Sequence, residues 1–366
     1  WQRILTDRGF NPPPFWQVVA SPLAQHITAT SHHEYRIGLF ADVAFLALAL
    51  LLVGVCAGLD AALLCFCFIH LAWYYNGSVI GTYFQFVWLD AILICMAFYR
   101  RGWMIAAGAA LAVSAGVALF PVVFTGGPGV MFLRDLVRTR KMPWKPFKFL
   151  ASFAACTILF TVMGIVAGRG VAPTKDFAGK ITMHAWNQKF DSNKFGLKRT
   201  MSVEADSFWD WTSIDRRTEV FVQQRHLYKL LFLAIVGLTL AAMIRGPDND
   251  AWAVPLGQGI IYSLMTSSRY YYHSLCVFLI AGKDDKRRGF AALSIAGLFL
   301  IHAGFYWINA KHGDRAAYTF GNVGYLVFFL AAPLYLLIKE PLAKAIPELR
   351  GAPPAPTPPQ AAPDAS

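Results

Sequence analysis

Nine apolar stretches limit what this chain can fold into more than any other feature; they fall at residues 37–59, 61–75, 82–99, 103–124, 147–168, 227–244, 251–281, 289–310 and 316–338. At about 1.5 Å per residue, a helix of roughly 20 residues covers the ~30 Å of bilayer hydrocarbon, and most of these stretches reach or approach that length. Their apolar residues run continuously. A β-barrel, whose strands alternate apolar and polar over about ten residues, is therefore excluded. Charged residues make up 15% of the chain, against ~25% in a soluble domain. The expected class is all-α, a polytopic helical membrane protein with about 9 to 11 membrane helices.

A formal net charge of +12 would suit a nucleic-acid partner. The cations, however, gather in short clusters between the apolar runs: Arg100 and Arg101; Arg134, Arg138, Arg140, Lys141, Lys145 and Lys148; Lys283, Lys286, Arg287 and Arg288. The positive-inside rule puts such clusters on the cytoplasmic face, and no nucleic-acid partner is expected. The clusters also constrain the threading. Arg101 and Arg134 share a side, so the chain between them must go out and come back as two short helices. Phe120-Pro121 and Gly126-Gly127-Pro128-Gly129 supply the break. The run 251–281 is long for one crossing, and two half-length helices meeting near Ser267-Ser268 would return the chain to the side of Arg245. Backbone broken at membrane depth is tolerated only where it is buried in protein or lines a wet cavity.

This map divides the chain into an extracytoplasmic segment (1–36), a first bundle (37–168), an extracytoplasmic loop or cap (169–226), a second bundle (227–338) and a cytoplasmic tail (339–366) rich in Pro and Ala. The six cysteines lie inside apolar runs without metal-ligand spacing, so no metal site and no cofactor is expected.

Ionisable residues within spans cost at least ~2.5 kcal/mol each and are functional candidates by default. The stretch LMTSSRYYYHSLCVFLI at 264–280 carries Arg269 and His273, which share a face if it is α-helical. Near a hairpin tip they could form a cationic pocket, walled by Tyr270, Tyr271 and Tyr272, for a phosphate or pyrophosphate on a lipid. The same residues would equally serve as an interfacial belt with Arg269 snorkelling to the headgroups. Tyr74 lines one stripe of the second run with His70 and Trp73, which leads into Tyr75-Asn76-Gly77-Ser78. Asp90 falls toward the inner half of the third run and Asp42 near the outer end of the first, each expected to pair with a neighbouring helix. In DSNKFGLKR (191–199), Asn193 and Lys194 belong to a set of donors and acceptors able to grip a sugar or headgroup, a composition shared with any solvated loop.

The segments YNGSVIGTYFQFVWLD (75–90), RRGWMIAAG (100–108) and ALFP (118–121), with LTDRGFNPPPFW (5–16) and NKFGL (193–197), resemble the polytopic GT-C glycosyltransferases, especially the glycosyltransferase family 87 group (polyprenol-phosphate-mannose-dependent) and its bacterial relatives. The resemblance implies a GT-C-like fold in a bacterial inner (plasma) membrane, with a polyprenyl-phosphate sugar donor as the lipid partner and transfer at the extracytoplasmic face. It implies a carboxylate in the first outer loop as general base, for which Asp7 is the candidate, and a basic residue holding the donor phosphate, for which Arg269 is the candidate. In the family that acid follows the first membrane helix, so the resemblance also allows a catalytic segment ahead of Trp1. Two other readings remain: a non-catalytic lipid-binding or accessory subunit working with other membrane subunits, and a transporter.

Overall fold

The structure is a computed structural model that describes residues 15–16, 18, 32–71, 86–167, 170–172, 174–179, 194–203, 214–245, 250–281 and 288–349. Asp7, Tyr74, Asn76 and Asn193 lie outside these residues.

Helix α1 (His32–Ala57) turns at Gly58, whose φ of 102° lets α2 (Leu59–Leu71) fold back on it. Helix α3 (Val87–Arg101) packs on α1, and α4 (Met104–Val117) runs antiparallel to α3. The Ser114 hydroxyl donates to the Trp88 carbonyl at 2.6 Å, and Phe98 meets Trp103 at the other end of the pair. The chain then breaks. A 3-10 turn spans Phe120–Thr125, with Pro121 at its start where a missing N–H costs nothing. Helix α5 (Gly126–Thr139) leads back, and α6 (Trp144–Ala167) packs on both α4 and α5.

The second half opens with the two-residue strand β1 (Lys194–Phe195) and a single turn, α7 (Leu197–Thr200). Helices α8 (Ile214–Gln223) and α9 (Arg225–Arg245) follow. The broken hairpin consists of α10 (Ala253–Leu256), α11 (Gln258–Leu264), strand β2 (Ser267–Ser268), a 3-10 turn (Arg269–Leu275) and α12 (Cys276–Ala281). Its apex falls at the Ser267-Ser268 pair.

Helix α13 runs from Arg288 to Leu349 and leaves helical geometry inside only at Gly313 (φ 81°, ψ 172°). That single residue reverses the chain. Gly297 lies against Phe328, Gly304 against Phe320 and Gly324 against Ile301, so partners move earlier as residues move later, the register of an antiparallel hairpin. Small residues at these points let the two halves approach closely.

Among the described residues, five helical stretches are long and apolar enough to cross a membrane: Phe40–Ala57, Phe120–Thr139, Trp144–Val166, Arg225–Arg245 and Ala292–Ile338. Shorter apolar helices fill the space between them. Leu51, Val55, Ile158 and Val166 point outward, more than half exposed, a surface that hydrocarbon solvates and water does not. The chain is an all-α, polytopic helical membrane protein.

The bundle has a basic end. Arg134 Nη1 donates to the Met243 carbonyl and Arg138 Nη2 to the Ile244 carbonyl, each at 3.1 Å. The two guanidiniums thus cap the C-terminus of α9, where orphan carbonyls and the helix dipole favour a cation. Both broken segments return to this end.

One placement differs from the sequence reading. Asp90 sits in the first turn of α3, away from the Arg100-Arg101 end, because the helix begins at Val87 and not at residue 82. Its neighbour is another carboxylate: Asp90 and Asp42 are both buried and close enough for their charges to interact.

Candidate functional site

The two breaks meet. Phe120, from the first, packs on Tyr271, from the second, with ring centroids 4.3 Å apart. Trp88 of α3 touches both rings, at 4.9 Å and 5.7 Å. Lower down, the Gly127 backbone lies against Ala253 and Gly257 against Val123. Broken backbone at membrane depth is therefore covered by other broken backbone, the condition under which it is tolerated.

The stretch 269–275 is a 3-10 helix with three residues per turn, so residues i and i+3 eclipse. Position 269 is therefore in register with 272, and the register with 273 that an α-helix would give does not form. His273 is fully buried with its ring edge-on to Phe86 at 5.2 Å. The side chains of Arg269, Tyr270 and Lys194 are outside the described ones.

The β1–β2 pair joins two segments that the sequence offered separately. Lys194 pairs with Ser268 and Phe195 with Ser267, antiparallel, which lays the described 194–199 part of that loop on the hairpin apex. Gly196 makes the approach possible. Its φ is 150°, and a Cβ there would stand 2.5 Å from the Met265 carbonyl oxygen. Its N–H donates to Asn322 Oδ1 at 2.8 Å, and Asn322 Nδ2 donates to the Tyr318 carbonyl. The Phe195 ring plugs the space between Tyr272, Tyr318 and Tyr325, 4.9–5.3 Å from each. Tyr262 donates to the Asn322 carbonyl at 2.8 Å and shares a 2.7 Å bond with Thr200.

Beside this clasp lie two arginines that sequence reasoning did not single out. Arg199 is 3% exposed and Arg217, on α8, 2%. They are close enough for their charges to act on each other, and burial together with Arg217 brings the Arg199 guanidinium down to about 9. Burial also lowers the half-buried Lys198 ammonium. Arg199 Nη1 reaches Ser202 Oγ only at 3.4 Å, and its Nε has no hydrogen-bond partner among the described residues. Taking a cation out of water costs several kcal/mol unless an anion repays it. Two adjoining guanidinium forks match the oxygens of a phosphate.

A cavity with room for about one water-sized group is lined by Phe120, Gln258, Ile261, Tyr262, Ser267, Tyr271 and Tyr272. No carboxylate lines it. Among the described residues no group of three His, Cys, Asp or Glu is placed to hold a metal ion.

Fold and site together define a class: a polytopic helical membrane protein whose broken hairpin is clasped at its apex by a dehydrated, cationic loop. No family model matches the chain, and no curated protein matches its sequence. Among solved structures, ArnT from Cupriavidus metallidurans bound to undecaprenyl phosphate is similar to it with a TM-score of 0.41 and 13% sequence identity, over 93% of this chain and 70% of that one.

Proposed function

We propose that the chain is a membrane glycosyltransferase-like protein that takes a sugar from a polyprenyl-phosphate donor at the β1–β2 end of the bundle. The observation that carries this reading is the buried Arg199–Arg217 pair beside the hairpin apex. A phosphate placed there would gain charge-assisted hydrogen bonds and offset the desolvation of Arg199. Leu264 and Met265, at the same apex, are 47% and 37% exposed, an apolar approach suited to a prenyl tail. The basic end, with Arg134, Arg138 and Arg245, is assigned to the cytoplasm and the apex to the extracytoplasmic face of a bacterial inner membrane. The resemblance to the family 87 group gives Asp7 as general base and Arg269 as a second ligand to the phosphate. Lys194, Asn193, Tyr74, Asn76, Tyr270 and His273 complete the proposed donor surroundings.

A second reading, a non-catalytic lipid-binding subunit of a larger membrane assembly, draws support from the small size of the cavity. A whole sugar enters it only if the clasp moves.

The test is titration of the full chain in nanodiscs with polyprenyl-phosphate mannose. The double variant Arg199→Gln/Arg217→Gln is expected to bind at least about tenfold more weakly, the effect of losing charge-assisted bonds to a buried phosphate. Unchanged affinity in that variant would remove the arginine pair from the reading.

A further inference from the structure

The cavity whose wall residue Tyr262 is bonded to Thr200, the chain neighbour of Arg199, is built to accept a hydrogen bond. Ser274 Oγ donates its only proton to the Tyr271 carbonyl at 2.6 Å. It can therefore only accept from Gln258 Nε2, 2.7 Å away. That bond fixes the amide with Nε2 toward Ser274 and Oε1 turned the other way. Gln258 is 3% exposed, and Oε1 has no partner among the described residues.

Two further polar atoms lie in the lining. Ser267 Oγ and the Tyr272 hydroxyl are within reach of each other, their residues 5% and 3% exposed, and such a pair has one proton left to give to a third group. Tyr262, by contrast, is already engaged with Asn322 and Thr200. A buried acceptor left unsatisfied costs about 1–3 kcal/mol. The orphaned Gln258 Oε1, with a hydroxyl pair beside the same small space, points to a missing partner.

From this geometry we infer that Gln258, Ser267 and Tyr272 form a subsite for one hydroxyl group of a neutral sugar. The chemistry of the lining selects it. Gln258 Oε1 requires a donor, which excludes a phosphate oxygen. With no carboxylate in the lining, an ammonium group would go unpaired, which disfavours an amino sugar. A hydroxyl donates to Oε1 and accepts from Ser267 or Tyr272. Thr200, bonded to Tyr262 of the cavity wall, adjoins Arg199 in the chain. A sugar joined directly to a phosphate could therefore place its phosphate at the arginines and one hydroxyl in the subsite. The inference rests on the phosphate reading above and names the part of the donor that this side of the site recognises.

The experiment compares two probes on the full chain in nanodiscs, polyprenyl-phosphate mannose and polyprenyl phosphate without a sugar. The native chain is expected to prefer the glycosylated lipid by about tenfold, the size of one satisfied buried hydrogen bond. Gln258→Leu should erase the preference while affinity for the bare lipid stays within about twofold. Ser267→Ala, which deletes only one oxygen, should reduce the preference in part and is read in the same way if Gln258→Leu does not unfold cooperatively. A preference retained in both variants overturns the subsite, as does a native chain that binds both lipids equally; in the latter case the phosphate reading stands. A native chain that binds neither lipid overturns the phosphate reading, and the subsite with it. If the cavity holds structural water only, the variants change the unfolding temperature and leave the lipid preference untouched, which also counts against the proposal.

Discussion

Arginines stand at both ends of this bundle, and they are used in opposite ways. At the basic end Arg134 meets the Asp135 carboxylate at 2.7 Å and the Met243 carbonyl at 3.1 Å, while Arg138 reaches the Ile244 carbonyl from an exposed position. Each charge there has water, a carboxylate or a helix terminus to answer it. At the apex Arg199 is buried beside Arg217, with one long bond to Ser202 and no carboxylate of its own among the described residues. The first arrangement stabilises the fold as it stands. The second leaves the Arg199 Nε without a hydrogen-bond partner among the described residues, and on the proposed reading a bound anion repays that cost.

The comparison can be broken most forcefully at Gly196, which holds the apex together. Gly196→Ala places a Cβ 2.5 Å from the Met265 oxygen at a φ of 150° and should cost at least ~2 kcal/mol; a thermal unfolding curve in detergent that matches the native one would show that the clasp contributes little. Next come the arginines themselves. Arg134→Met should lower stability by about 1–3 kcal/mol, since it strands the α9 carbonyls and Asp135. Arg199→Met should raise it in the absence of ligand and abolish stabilisation by inorganic phosphate. Two losses of equal size would erase the distinction. A smaller effect is expected from Tyr262→Phe, about 1 kcal/mol for the bonds to Asn322 and Thr200, read as a shift of the unfolding midpoint.

The gentlest probe is pH. With Arg199 brought down to about 9 by burial and by Arg217, the folded chain binds fewer protons than the unfolded chain from about pH 9 up to the ordinary guanidinium range. Stability is therefore lowest below about 9 and rises with pH across that window, while stabilisation by phosphate fades as Arg199 loses its charge. Unfolding midpoints measured at pH 7.5 and pH 10, with and without phosphate, should show both trends; parallel curves would count against a perturbed Arg199.

Much of the fold was legible because it depends on features that act one segment at a time. Apolar length marked the helices, and the basic clusters forced both breaks. Phe120-Pro121 and Ser267-Ser268 fall where charge balance needs them. Asp90 was misplaced because apolarity does not say where a helix starts; residues 82–86 belong to the same apolar run, yet α3 begins at Val87. The 3-10 turn at 269–275 was illegible for a similar reason, since the tyrosine run fits either helix. Arg199 and Arg217 were missed because a polar loop reads as solvated. Only the apolar residues Phe195, Leu197 and Met201, buried on either side of Arg199, hint that the loop turns inward. Gln258 carries no signal of its own, because its orphaned oxygen is a product of the bond to Ser274.

The clasp also has a place in time. Phe195 and Gly196 emerge from the ribosome long before Tyr318, Asn322 and Tyr325, the residues that hold them. Until the α13 hairpin has inserted and turned at Gly313, the 194–203 segment has nothing to seat against, and two strand residues cannot hold it closed by themselves. The clasp is thus finished only when the α13 hairpin arrives. A chain stalled before Gly313 would have most of its membrane helices in place and no assembled apex.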